Sequence, residues 1–451
     1  MTMLSDHIDA SSPGLPPLES NAPPSNPSKR LVIVVRADPV ICGHSGEARN
    51  LAEAALTRGY DDVRIVTWPI PALHAAGLPL KPLDSVLPYS PGITVERPEP
   101  VGDYKVPDGR YLAGIVGRLV ELFTEGVATT AMSLYLTPHD TAIAQAAQVA
   151  RSTGMCAPLT TIAEAVGSDI TNVVRSAVDE GRFGAAAHVL GTYLSNDVCV
   201  AVSQYTKDLI VDAANEVDNR WGTSFAPECV ERVAVSYPAI DASAYTSLDP
   251  NETRSRLARR GLKPDGYVMF LSRLVRAKGV DDLINGFAMS AARNHTKLLI
   301  CGNGPEAHSL RALAASTPCA DRIVFLDDVD DAEKPHLMAG STAYALPSKP
   351  RPEFVETFGI ALVEKLLAGG GPVITCDTGG ITEAVGPHAK MIPPAHPHAI
   401  ANALNEIVLG LSPGERTRWG SAARAFALQF DRSNVFDRLM EHVAADTATA
   451  A

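Results

Sequence analysis

The sequence predicts an α/β protein of two doubly wound domains in series, with a ligand cleft between them. Three observations carry that expectation. Unbroken apolar runs of strand length alternate with amphipathic stretches of helical period, the pattern of parallel sheets covered on both faces. The alternation runs from Leu31 to Pro238 and restarts at Tyr267, after a polar, turn-rich stretch from Asp241 to Asp265 that reads as a linker. A chain of 451 residues also exceeds one typical core.

Taken in order, residues 1–29 are rich in Pro, Ser and Asn and read as a disordered tail without a signal peptide's apolar centre. Leu31–Val35 is a buried strand, Gly43-His44-Ser45-Gly46 a loop, Glu47–Thr57 a helix stopped by Gly59, and Val63–Val66 a second strand. The loop lacks the third glycine of a dinucleotide fingerprint, and Thr67-Trp68 lacks its ribose-binding carboxylate. Residues 69–109 are punctuated by Pro and Gly and read as a long surface excursion. A helix over Tyr111–Phe123, a strand over Met132–Leu136, an Ala-rich helix to Arg151 and strands at Leu159–Ile162 and Asp197–Val202 follow. Ser203 is placed to cap a helix starting at Gln204. In the second half, strands fall at Tyr267–Leu271, Lys297–Cys301, Arg322–Phe325, Thr342–Leu346 and Val373–Thr375, with helices over Val280–Ala291 and Glu306–Ala315.

Composition excludes several classes. Hydrophobic residues make up 46% and charged residues 20%, as in a soluble globular protein. A formal charge of -12 argues against nucleic acid, and no apolar run reaches the length of a membrane span. Seven cysteines, with no Cys-x-x-Cys pair, point to free thiols in a reducing compartment, so a cytoplasmic location is expected.

The chemistry concentrates in the second half. Glu356 and Glu364 bracket an apolar segment opened by Phe358-Gly359, so Gly359 is expected to start a helix whose free amides seat a phosphate. Were both glutamates helical they would lie about 12 Å apart, beyond a glycosidase pair's spacing of roughly 5 to 9.5 Å, which leaves two acceptors for separate hydroxyl groups. Arg273 and Lys278 leave the carboxyl edge of the sheet towards the same point, where two cations and helix amides neutralise a diphosphate. Gly302-Asn303-Gly304 and Thr378-Gly379-Gly380 are weak signals alone. Asp328-Val329-Asp330 has the Asp-x-Asp form of a metal site but sits among Asp327, Asp331 and Glu333, which reads as a solvated acidic loop; no metal is expected.

With these residues in view, the chain resembles the family-4 retaining glycosyltransferases of the GT-B fold, two Rossmann-like domains with a C-terminal helix crossing back to the first. The resemblance covers residues 30 to about 440. It implies domains at 30–245 (acceptor side) and 246–425 (sugar-nucleotide side), then a crossover segment 426–451 with its helix over Ser433–His442. It implies that Arg273 and Lys278 hold the diphosphate, that Glu364 binds the ribose diol and that Glu356 holds hydroxyls of the donor sugar. Arg273, Lys278 and Glu356 are thus the expected catalytic residues. Thr357, Phe358, Gly359, Ile360, Ala361 and Leu362 are expected around the donor, through backbone amides to sugar and phosphate. Val166 stands where the family often has His, and Phe325-Leu326-Asp327 departs from its Phe-Leu-Gly. The Glu364–Pro372 stretch gives a looser similarity to glycosyltransferases of aminoglycoside-type antibiotic pathways.

The resulting expectation is a retaining, metal-independent enzyme, needing no cofactor, that moves a sugar from a UDP- or GDP-linked donor to a small polar or cationic acceptor. Its alternatives are a disaccharide or glycoconjugate synthase of primary metabolism, a Rossmann-type oxidoreductase and a non-catalytic sugar-nucleotide-binding protein. The acceptor is expected over Gly43 and Gly46, beside His139, Glu164 and Asp169, all of which follow strands of the first sheet.

Overall fold

The computed structural model describes residues 29–102, 109–352 and 354–449. The expected N-terminal tail, part of the 69–109 excursion and Glu353 lie outside the described residues.

Two parallel sheets form among the described residues. The first comprises β1 (Lys29–Val34), β2 (Asp62–Val66), β3 (Ile93–Glu96), β4 (Ala128–Leu134), β5 (Leu159–Ala165), β6 (Val198–Ala201) and β7 (Val233–Val235), in the order 3-2-1-4-5-6-7. The second comprises β8 (Tyr267–Leu271), β9 (Lys297–Cys301), β10 (Ile323–Leu326), β11 (Ala343–Leu346), β12 (Val373–Cys376) and β13 (Ala389–Ile392), in the order 10-9-8-11-12-13. Chain order reverses between β1 and β4 and between β8 and β11, so each sheet opens a crevice there at its strands' carboxyl ends. The central strands are apolar at consecutive positions because both faces are covered. Leu31 to Val35 and Tyr267 to Phe270 are each at most 1% exposed.

Several expectations change. The helix α1 (Gly43–Leu56) starts four residues early, so Gly43–Gly46 is its first turn rather than a loop. The surface excursion contains β3, an edge strand paired with β2 from Val63↔Ile93 to Val66↔Glu96. The stretch read as a linker folds into helices at Ser243–Thr246 and Pro250–Arg259, the latter capped by Asp249. Tyr245, Leu257 and Leu262 from it pack in the second core, which reaches back to Ile240 and forward to Phe430. The helix α2 (Gln204–Trp221) has Ser203 as its cap, accepting the Thr206 N–H.

The two domains meet at adjacent chain crossings. Ile240 donates its N–H to Phe430 C=O and accepts from Arg432 N–H. The last helix (Arg432–Thr449) returns to the first domain as expected. There Phe436 packs edge-on against Tyr60 and Asp437 pairs with Arg58.

Beneath this crossing, Asn50 donates to Ala239 C=O and the buried Glu47 carboxyl accepts the Ala239 N–H. Burial raises the Glu47 pKa from its ordinary 4.5 to about 8. A carboxyl protonated more readily when folded stabilises the fold fully below the unfolded value, and the contribution is lost as pH rises through about 8. The melting temperature is therefore expected to fall between pH 6 and pH 9, and Glu47→Gln to flatten that fall, checked by differential scanning calorimetry.

Candidate functional site

The helix α3 (Ile360–Ala368) is entered through Gly359 at φ 102°, a left-handed turn that a side chain rarely tolerates. Its start lies at the carboxyl edge of the second sheet, and no acceptor among the described residues takes the N–H of Ile360 or Ala361. Leu362 is different. Its N–H already bonds to Gly359 C=O at 2.9 Å and its side chain is in the core, so the expected phosphate-binding amides reduce to Ile360 and Ala361.

Of the four charged residues expected around this helix, Lys278, Glu356 and Glu364 are paired within the protein and Arg273 is not, among the described residues. Lys278 is buried and donates to Glu356 Oε2, with its ammonium 4.7 Å from the Phe354 ring centre. Glu364 accepts from Tyr245 Oη and Lys334 Nζ, each at 2.6 Å and both on Oε1. Each glutamate thus commits one oxygen to the protein. Glu356 Oε1 and Glu364 Oε2 receive no hydrogen bond from the described residues and remain for ligand hydroxyls. Arg273 is exposed and unpaired among the described residues, near enough to α1 to act on Cys42 and His44. Tyr245 and Lys334 were missed by sequence reasoning: one sat in the supposed linker, and neither belongs to a motif.

The two weak glycine motifs explain how these loops are held. A Cβ on Gly302 would meet Ser272 O at 2.1 Å, and one on Gly304 would meet Leu274 O at 2.5 Å, so both glycines let the backbone flank Arg273 closely. Asn303 C=O accepts the Leu274 N–H. Likewise a Cβ on Gly379 would meet Glu356 O at 2.0 Å, and Gly380 donates its N–H to that oxygen.

The first domain closes over this loop. Ser203 Oγ donates to Thr357 C=O at 2.6 Å, and Glu383 accepts the N–H groups of Gln204 and Tyr205 at the start of α2. A Cβ on Gly167, at φ 98°, would meet Thr357 Cγ2 at 2.4 Å. Phe358 stacks on Tyr237 with ring centres 5.4 Å apart and lies edge-on to Phe430, so its side chain fills the domain junction. Gly43 faces Ile360 across the cleft, where a Cβ would come 3.0 Å from Ile360 Cδ1. The amino ends of α1 and α3 therefore point at one space, with Gly43 and Gly46 exposed to it.

The other acceptor-side residues lie elsewhere. Asp169 is 0% exposed and its carboxylate accepts the N–H groups of Leu136, Val166, Gly167 and Ile170. Glu164 is 1% exposed, and burial together with the neighbouring Glu47 holds its carboxyl well above the usual range. His139 is buried edge-on against Trp68 and Tyr135, and burial pushes its pKa down to about 3, so it stays neutral. Chain position at a strand end put these three near the cleft, but their side chains turn inward. The acidic wall expected for a cationic acceptor is not exposed. In its place stand Arg36 and Tyr135.

The acidic loop is also engaged: Asp328 and Glu333 pair with Arg260, and Asp330 Oδ1 accepts the Glu333 N–H. All seven cysteines are free, and no helix among the described residues is long and apolar enough to cross a membrane.

Residues 255–426 match the family model described as Glycosyl transferases group 1. Over 237 residues the chain is 28% identical to the GDP-mannose-dependent alpha-(1-6)-phosphatidylinositol monomannoside mannosyltransferase of Mycolicibacterium smegmatis, covering 51% of this chain and 58% of that protein. It is 29% identical over 214 residues to the D-inositol 3-phosphate glycosyltransferase of Jonesia denitrificans, covering 44% of this chain and 48% of that one. The chain thus matches about half the length of these curated relatives. Among solved structures, the Anabaena HepE protein in complex with UDP superposes with a TM-score of 0.64 at 19% identity, over 92% of this chain and 100% of that chain. The sucrose-phosphate synthase of Thermosynechococcus elongatus does so with a TM-score of 0.62 at 18% identity, over 94% and 100%. The chain has the GT-B fold, and the domain that carries Arg273, Lys278, Glu356 and Glu364 matches glycosyl transferases group 1.

Proposed function

We propose that the protein is a glycosyltransferase that takes a sugar from a nucleoside-diphosphate donor and passes it to an acceptor with retention of configuration. The observation that carries this reading is the pairing of Lys278 with Glu356 at the amino end of α3, with one oxygen of Glu356 and one of Glu364 left open. A ribose diol is matched by Glu364 Oε2 and a sugar hydroxyl by Glu356 Oε1. The diphosphate is matched by Arg273, Lys278 and the amides of Ile360 and Ala361.

In this reading the cations and amides stabilise charge as it builds on the leaving diphosphate. The same diphosphate accepts the acceptor's proton on the face it departs from, so no side chain is needed as base and the configuration is kept. Domain contacts through Thr357 keep water from the reacting carbon. Two positive groups and two helix amides serve in place of a metal, and Asp328 is already engaged by Arg260.

The name of the GDP-mannose-dependent mannosyltransferase supports a GDP-linked donor, and with that of the inositol phosphate glycosyltransferase it supports a glycoconjugate or related acceptor. Neither name gives support to an antibiotic pathway. The test is proton NMR of the protein with UDP-glucose or GDP-mannose and EDTA. Slow release of the free sugar, first as the donor's own anomer, is expected; release first as the opposite anomer, or dependence on added Mn²⁺, counts against the reading.

A further inference from the structure

One cation of the cleft has no part in the proposed donor site. Arg36 lies just past the carboxyl end of β1, half-buried, with its guanidinium 5.5 Å from the centre of the Tyr135 ring. Among the described residues no carboxylate pairs with it. Elsewhere in the domain Arg30 pairs with Asp62, Arg49 with Asp38, Arg64 with Asp62 and Glu96, and Arg118 with Glu96, while Arg97 is tied to the backbone carbonyls of Trp68 and Asp38. In a chain of net charge -12, an arginine left bare beside a cleft is a placed charge.

Tyr135, beside it, sits at φ 126°, a conformation that non-glycine residues rarely adopt and that gathers at functional sites. The surroundings enforce it. Tyr135 N–H bonds to Glu164 C=O, its hydroxyl accepts from Ser168 Oγ, and the next amide, that of Leu136, is taken by Asp169. The Asp169 carboxylate and the Glu164 backbone carbonyl thus hold the Tyr135 turn in place.

The Tyr135 ring lies 6.2 Å from that of His44 in the first turn of α1, and the neighbouring Gly43 faces Ile360 of α3, so Arg36 stands on the first-domain wall of the space where α3 begins. A nucleotide sugar's diphosphate carries about two charges, and Arg273, Lys278 and the α3 amides on the second-domain wall are enough to meet them. The charge of Arg36 is left for a second anion.

We infer that Arg36 anchors an anionic group of the acceptor, a phosphate monoester or carboxylate, held by its planar fork beside the Tyr135 ring. This rests on the glycosyl-transfer reading only for what lies next to it. The guanidinium presents paired donors that match two oxygens of one anion, and the partly dry setting strengthens each bond.

The probe is inorganic phosphate, titrated by calorimetry at constant ionic strength in chloride into the native protein saturated with UDP or GDP, whichever binds. Phosphate is expected to bind this complex. Arg36→Gln should weaken it about tenfold or more, the size expected for a lost charge-assisted bond, and leave the nucleotide Kd within about twofold. Flotation with phosphatidylcholine vesicles, with and without phosphatidylinositol, identifies the source of the anion. Arg36-dependent retention by the inositol lipid assigns it to a headgroup, and its absence alongside phosphate binding assigns it to a free solute. Phosphate binding no stronger than chloride, or unchanged in Arg36→Gln, overturns the inference. So does a loss of nucleotide affinity equal to the loss of phosphate affinity, which would move Arg36 to the donor. If native protein binds neither nucleotide, the glycosyl-transfer reading fails, while phosphate titrated into the free protein still tests Arg36.

Discussion

Lys278→Ala is expected to lower kcat about 10²- to 10³-fold, the loss seen when one preorganised donor to a developing oxyanion is removed. Lys278 is buried beside Glu356 and under the amino end of α3, so its charge is fixed before the donor arrives and needs no reorganisation as the bond breaks. Glu356 also loses its partner and turns towards solvent, which adds misplacement of the sugar hydroxyl. Steady-state kinetics with saturating donor separate the effects. A fall in kcat with donor KM little changed places Lys278 on the leaving group, while a rise in KM alone makes it a ground-state binding group.

Asp169→Ala should have the largest effect on stability. Its carboxylate serves four backbone N–H groups, of which only that of Ile170 has a second acceptor, Gly167 C=O, and a buried donor left unsatisfied costs roughly 1 to 3 kcal/mol. Water entering the gap recovers part of that, so a net loss of about 3 to 5 kcal/mol is expected. Urea unfolding followed by circular dichroism measures it, and Asp169→Asn, which keeps one acceptor oxygen, should lose less. As the destabilised protein unfolds, transfer and donor hydrolysis should fall together. A loss of transfer alone in a fully stable Asp169→Ala protein would return Asp169 to the acceptor.

What the sequence revealed follows from how local each signal is. The apolar runs of β8 and β9 gave their bounds because a strand buried on both faces needs no partner to be recognised. Ser203 was read as a cap because capping depends on three successive residues. The short, half-buried β3, Ile93–Glu96, has no such run and was lost in a Pro-rich stretch. Two glycines in the first turn of α1 read as a loop, although the missing side chain of Gly43 is what lets α3 approach.

Side-chain direction was the harder matter. The spacing of Glu356 and Glu364 places them around a Gly-opened helix, and Glu356 lies in the loop leading into it and Glu364 on its second turn. Their protein partners come from 78, 119 and 30 residues away, a distance no motif spans. Glu164 lies near the carboxyl end of β5 and Asp169 just beyond it, yet one is buried against Glu47 and the other is drawn to four amides. A strand end fixes where a residue is, and unsatisfied backbone donors decide where its carboxylate goes.

The central claim is that Glu364 and Lys278 mark the two ends of a nucleoside diphosphate. Calorimetric titration of UDP and GDP, in EDTA, into native protein and Glu364→Gln tests it most directly. Saturable binding of at least one nucleotide is predicted, weakened about tenfold to a hundredfold in Glu364→Gln, as for a lost bond to a charged group of roughly 1.5 to 3 kcal/mol. Absence of binding to native protein, or the same Kd in both, would contradict it.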